Sequence, residues 1–116
     1  WGAIVQLSKQ AVEELTKENI SVELIDIRPM SPLDMKTILA SVTKTGRAVV
    51  VQEATPTGSF GSEIIARIQD KAMLHLQAPI GKVSSFDVPF PQFALENYFM
   101  PNVHRIKKEV KRIRDF

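Results

Sequence analysis

An α/β fold, with helices on both faces of a mostly parallel sheet, is what this sequence predicts, and three observations lead there. Amphipathic stretches alternate with short apolar runs in the order helix, strand, helix, strand, helix, strand, helix. Strands joined through helices lie parallel, because the crossover is right-handed and packs back onto the sheet. The run Ala48-Val49-Val50-Val51 shows no polar alternation, as expected of a strand covered on both faces. With 116 residues, 44% of them hydrophobic, the chain has material for one core, so 1–116 reads as a single domain of three-layer α/β/α type. Its first helix has no strand before it and its first residue is Trp1, not methionine. The reading therefore expects a piece of a longer subunit, with a first edge strand upstream.

The elements follow in order. Ile4, Leu7, Ala11, Val12 and Leu15 recur at helical spacing over 3–18, leaving Lys9, Glu13, Glu14 and Lys17 to water, and Asn19 closes the helix. In 21–28, Val22, Leu24 and Ile27 alternate as in a strand, and Pro29 ends it because it has no amide for a ladder. Ser31-Pro32-Leu33-Asp34 reads as a helix start, with Ser31 as cap, Pro32 in the first position and Asp34 facing orphan amides. Leu33, Ile38, Leu39 and Val42 form the inward stripe, and Lys44 and Gly46 mark the end. After the strand at Ala48–Gln52 comes a loop with Pro56, Gly58 and Gly61. A helix then turns Ile64, Ile65, Ile68, Ala72 and Leu76 inward, until Ala78-Pro79 breaks it. Residues 79–85 make a short strand, and 87–91 are extended because each proline disfavours helix at the residue before it. Past Pro101-Asn102, the spacing of Val103, Ile106, Val110 and Ile113 predicts a final helix.

Composition narrows the function. With no cysteine, a disulfide scaffold, a thiolate metal site and a cysteine nucleophile are excluded. The start carries no basic-then-apolar signal pattern and no run is long enough for a membrane span, so a cytoplasmic protein is expected, or a matrix one if the source is eukaryotic. Net charge is +2, but six of fifteen bases and only two of thirteen acids fall in 105–116. The basicity thus belongs to one terminal helix. Phe116 is the only aromatic among those bases, so the stretch offers no stacking platform and reads as a solvated face, not a nucleic-acid site.

Catalytic groups in such a fold belong at the C-terminal ends of strands. Three loops qualify: Asp26, Arg28 and Ser31; Gln52, Glu53, Thr55, Thr57, Ser59 and Ser62; Ser84, Ser85 and Asp87. Gly58, Ser59 and Gly61 run from a strand into a helix start, where amides gather and an anion can sit. The P-loop Gly-Lys-Ser/Thr and the dinucleotide spacing are absent, and glycines there also serve a tight turn and close packing. Asp26 and Glu53 are an acid/base pair only if neighbouring strands bring them together. His75 and His104 lack metal-ligand spacing, His75 reading as a rim residue and His104 as a first-turn residue. These residues do not describe a self-sufficient enzyme.

Several stretches together resemble a known family: Val22-Glu-Leu-Ile-Asp-Ile-Arg28, Pro29-Met-Ser-Pro-Leu-Asp34, Val42-Thr-Lys-Thr-Gly-Arg47, Val49-Val-Val-Gln-Glu53, Gly58-Ser-Phe-Gly-Ser-Glu-Ile64, Leu76-Gln-Ala-Pro79 and Asp87-Val-Pro-Phe-Pro91. Their succession is similar to the C-terminal domain of the β subunit of thiamine-diphosphate-dependent 2-oxo acid dehydrogenases, a transketolase C-terminal-like fold. Glu53–Phe60 and Phe86–Pro91 look closest to branched-chain members, with pyruvate or acetoin members as the alternative.

The resemblance implies a five-stranded mixed sheet with a strand just before Trp1. It places thiamine diphosphate and Mg²⁺ in the parent enzyme, between the α subunit and the β subunit's other domain, with no cofactor, metal or catalytic residue in this one. The role implied is assembly: contact with the α subunit and a second β subunit (α2β2), and docking of the acyltransferase's subunit-binding domain, with no nucleic acid or membrane as partner. In related enzymes an acidic residue before the Ala-Pro and the terminal carboxylate hold that domain. The matching positions are Gln77, a neutral amide here, and Phe116. A regulatory anion site at Gly58–Gly61 is the competing role.

Overall fold

The computed structural model describes residues 1–116 and has α1 (Ile4–Lys17), α2 (Met35–Thr45), β1 (Val49–Val51), α3 (Phe60–Ala72), β2 (Gly81–Val83), α4 (Glu96–Phe99) and α5 (Val103–Arg114). Ile4, Ser8, Ala11 and Leu15 are the buried line of α1, at the spacing that keeps one helix face dry. Asn19 terminates it in the left-handed region, φ 60°. Its N–H and that of Ile20 return to Thr16 and Leu15 carbonyls at 3.0 and 2.9 Å, which closes a Schellman turn.

The start of α2 differs from the expectation. Asp34, not Ser31, is the cap: its carboxylate accepts the Thr37 N–H at 3.1 Å and the Thr37 hydroxyl at 2.6 Å. Those bonds hold the carboxyl below its ordinary value. Ser31-Pro32 lies before the helix as a cis peptide. Gly46 ends α2 with φ 68° and returns its N–H to Val42 at 2.8 Å. A side chain there would be strained by the backbone and would strike Gln77 at 2.8 Å.

β1 and β2 pair in parallel, with Val50 opposite Lys82. Val50 joins Ile38, Val42, Ile64, Ile68 and Ala72 beneath α2 and α3, whereas Val83 joins Ala11 and Ile106 beneath α1 and α5. Helices thus cover both faces, as three layers require.

The sheet, however, has two strands, not five. Residues 21–28, expected as a strand, form no regular element and make no backbone–backbone hydrogen bond. A ladder needs a neighbour, and a cavity of 440 Å³ separates this segment from β1. Residues 93–99, left without helix by the sequence reading, form a 3₁₀ turn running into α4. Phe99 anchors them, edge-to-face with Phe90 at 5.2 Å. No helix is long and apolar enough to cross a membrane.

Candidate functional site: the strand ends and the Gln77 corner

Gln52 organises the C-terminal end of β1. Its side chain is fully buried, accepts the Gly61 N–H at 2.8 Å, and donates to Ser59 Oγ at 2.6 Å and the Thr55 carbonyl at 3.0 Å. A buried amide must find partners for both ends, and the loop's amide, hydroxyl and carbonyl supply them. A Cβ on Gly61 would fall 2.3 Å from Gln52 Oε1, so glycine is required by close approach. The Lys82 ammonium donates to Ser62 Oγ at 2.6 Å and to the Pro56 carbonyl, fastening the loop to β2.

The second and third loops of the sequence reading do meet. Thr57 donates its N–H and hydroxyl to the Asp87 carboxylate at 3.3 and 2.5 Å, and the Ser85 hydroxyl donates to the Glu53 carbonyl. The first loop stays apart. Asp26 pairs with Arg28 at 3.3 Å, and no bond joins it to Glu53, whose Oε1 is buried without a partner. The conditional acid/base pair does not form, because the two segments are not neighbours in a ladder.

In the loop of Gly58, Ser59 and Gly61, the glycines serve the tight turn and close packing that the sequence allowed for them. The Gly61 amide is committed to Gln52, and Ser59 Oγ donates to the Pro56 carbonyl at 3.3 Å. Gln52 was in the sequence reading only as one loop member. The available signal was a polar residue directly after an all-valine strand and before a Gly-rich loop.

His75 lies in an exposed 3₁₀ turn and His104 in the first turn of α5. No group of three or more His, Asp or Glu residues is placed to hold a metal ion.

The basic helix α5 is engaged within the fold. Lys107 bridges Glu14 and Glu18 of α1 at 2.6 and 3.0 Å, and Lys111 pairs with Glu18. Arg112 and Arg114 hold Glu109 at 2.7 Å and Asp115 at 2.6 Å. Hydrogen bonds from Lys111 and Lys107 lower the Glu18 carboxyl from its ordinary value, and those to Glu14 and Glu18 raise Lys107. The Arg105 guanidinium donates to the Ser84 carbonyl at 2.5 Å and stacks over Phe86 at 4.7 Å. This charge pattern braces α1 against α5.

Gln77 and the chain end form the second corner. Arg47 donates to Gln77 Oε1 at 2.6 Å and to the Ile113 carbonyl, in the last turn of α5, at 3.2 Å. Gln77 also donates its N–H to the Gly46 carbonyl at 2.7 Å. Phe116, three residues past Ile113, is 72% exposed. The two residues named from sequence are thus linked through Arg47, which the sequence reading did not single out. A second unforeseen feature is the apron of Phe86, Val88, Phe90, Phe93, Leu95 and Tyr98, all exposed.

The model of the transketolase C-terminal domain matches residues 1–106, and the chain belongs to that family. It is similar over its whole length to the pyruvate dehydrogenase E1 component subunit beta of Staphylococcus aureus (46% identical) and of Staphylococcus epidermidis (44%), and spans 36% of those proteins. Among solved structures, a split-gene transketolase described as an inactive beta4 tetramer superposes with a TM-score of 0.81 at 23% identity, over 97% of this chain and 35% of that one. That likeness establishes the shared fold.

Proposed function

We propose that this chain is the C-terminal domain of the β subunit of a 2-oxo acid dehydrogenase and that it serves assembly and partner docking, not chemistry. Whole-length identity to pyruvate dehydrogenase E1 β subunits supports the parent. These relatives favour the pyruvate alternative over the branched-chain subfamily that Glu53–Phe60 and Phe86–Pro91 suggested. In that parent, thiamine diphosphate with Mg²⁺ supplies the carbanion chemistry of decarboxylation. The strand-end loops here bond to themselves, so no step is assigned to them.

One observation carries the docking role: Arg47 ties Gln77 to the last turn of α5, beside exposed Phe116. A partner touching the chain end meets a braced corner, which lowers the ordering cost of binding. Gln77 is a neutral amide whose oxygen already accepts from Arg47, so it offers a partner no carboxylate-like acceptor. The apolar apron of 86–98 is the face suited to the α subunit or a second β subunit.

Docking and catalysis separate in a simple experiment. In the intact α/β enzyme, deletion of Phe116 should leave decarboxylation with an artificial electron acceptor unchanged and lower acyl transfer to the acyltransferase-bound lipoyl group. Equal loss of both activities would contradict a docking role. The 116-residue chain alone, given pyruvate, thiamine diphosphate and Mg²⁺, should release no CO₂.

A further inference from the structure

We propose that the exposed apolar apron of residues 86–98 is the seat of the α subunit, and that Glu53 at its edge receives an arginine side chain carried by that subunit. The proposal rests on the reading of this chain as a β-subunit domain, which leaves open both the apron's partner and the chemistry that recognises it.

Glu53 is the residue that calls for a cation. It lies half-buried just past the end of β1, with Oε1 enclosed and without a hydrogen-bond partner. No ion pair of the chain includes it. A carboxylate partly removed from water, with neither donor nor counter-ion, is destabilised until a charge-assisted hydrogen bond reaches it. The chain's own atoms close off Oε1, so a donor arrives from outside, at Oε2. Arginine suits that approach, because its guanidinium is weakly hydrated, stays charged when buried and carries an apolar stem.

The same carboxylate belongs to the apron's surface. The Ser85 hydroxyl donates to the Glu53 carbonyl and the Ser85 N–H to the Ala54 carbonyl at 3.3 Å, while Thr57 holds Asp87. Phe86 sits between those ties, and Phe93, 94% exposed, stands out farther along. The loop 53–57 and the segment 85–98 thus adjoin. Together they carry three acids (Glu53, Asp87 and Glu96) and no lysine or arginine, in a chain of net charge +2. The adjacent bases are already placed: Lys82 on Ser62 and the Pro56 carbonyl, Arg105 over Phe86 and on the Ser84 carbonyl. Apolar surface bordered by acids without counter-ions matches a partner that sets a base among apolar residues.

Geometry selects the α subunit. β1 and β2 are parallel, so Glu53 and the apron both follow the C-terminal ends of the strands. Gln77 bonds the Gly46 carbonyl ahead of β1 and leads into β2, at the opposite end. The docking corner and the apron therefore seat different partners at once. A second copy is opposed by charge. An isologous contact sets this face against itself, bringing acids toward acids while Arg105 stays bonded within its own chain. Of the subunits in that reading, the α subunit remains.

Dissociation of the intact α/β enzyme into subunits on dilution, followed by sedimentation, tests this. Glu53→Gln keeps the side chain's size and breaks no bond within the chain, so the variant should fold with an unchanged Tm. Its α–β Kd should rise at least about tenfold, and added salt should weaken the unaltered enzyme more than the variant. Glu63→Gln, which removes a carboxylate paired to Arg67 on the exposed side of α3, should leave Kd unchanged. In the unaltered enzyme, amides of 93–98 should exchange at least about tenfold more slowly than in the separated β subunit. A Kd within about twofold after Glu53→Gln would overturn the proposal, as would an equal rise in both variants. So would unprotected amides at 93–98, or protection already complete without the α subunit, since a second copy would then cover the apron. Deletion of Phe116 is read on the acyltransferase, so the docking role and this contact fail separately.

Discussion

The two flanks of β1 are built from the same three valines and meet opposite fates. Toward β2, the backbone is paired in register, and Gln52 extends the order by fastening the loop that follows. Toward residues 21–28, the backbone groups face a cavity, and the opposing segment stays without regular structure although its sequence alternates like a strand. Strand propensity is a statement about fitting a pleated, half-buried surface, and without a neighbour that surface does not exist.

The largest expected effect tests whether stability sits on the paired side. Val83, on β2, is buried beneath α1 and α5 away from the cavity, and Val83→Ala should cost about 2 kcal/mol through lost transfer energy and a residual void. Ile25, half-buried on the wall of the cavity, should cost less than about 1 kcal/mol when truncated in the same chain. Urea unfolding of both variants reads the difference directly. Equal losses would mean that the cavity wall is as much a core as the other flank.

The Gln52 knot comes next. Gln52→Ala leaves the Gly61 amide unsatisfied in a buried site, at about 2 kcal/mol. Gly61→Ala drives a methyl group into the Gln52 amide and should cost between about 1 and 3 kcal/mol. In the double variant the new methyl enters space that Gln52 vacated, so the two losses should fall short of additive by at least about 0.5 kcal/mol. Additive losses would show that the contact does not determine the glycine.

The smallest effect concerns the α1–α5 brace, which lies away from either flank. Glu18 has its carboxyl lowered from 4.5 by Lys111 and Lys107, so its contribution is present above pH 4.5 and is lost as pH falls through the depressed folded value. Lys107 is raised from 10.5 by Glu14 and Glu18. Its contribution is complete below pH 10.5 and disappears as pH rises through the raised folded value. Glu18→Gln should flatten the acid limb of the stability–pH curve below pH 4.5, and added salt should shrink the difference between the two proteins, because the groups are exposed. An unchanged acid limb would contradict the pairing.

What was legible in the sequence divides along similar lines. Helical faces could be read because their period is local: Ile64, Ile68 and Ala72 are buried as the spacing requires. The cap of α2 was misplaced because Ser31-Pro32 and Asp34 both carry capping chemistry, and only Asp34 is followed at the right distance by an amide and a hydroxyl, both from Thr37. The strand at 21–28 was legible as a pattern but not as a ladder, because pairing belongs to two segments. At the site, Gln77 and Phe116 were found by resemblance, while Arg47 was hidden by distance along the chain. Gln52 looked like any loop amide until burial gave it a role.

The docking account turns on the corner where Arg47 joins Gln77 to the chain end. Its most direct test is calorimetric titration of the intact α/β enzyme with the acyltransferase's subunit-binding domain, before and after deletion of Phe116. Deletion removes an exposed aromatic ring next to the braced corner. If the ring covers a partly desolvated charged contact with the partner, the loss is about 2 kcal/mol, or roughly thirtyfold in Kd. Gln77→Glu should change Kd far less, because Arg47 already faces that side chain and would take up the new charge. A Kd within about twofold of the unaltered enzyme after loss of Phe116 would contradict the claim that this corner anchors the partner.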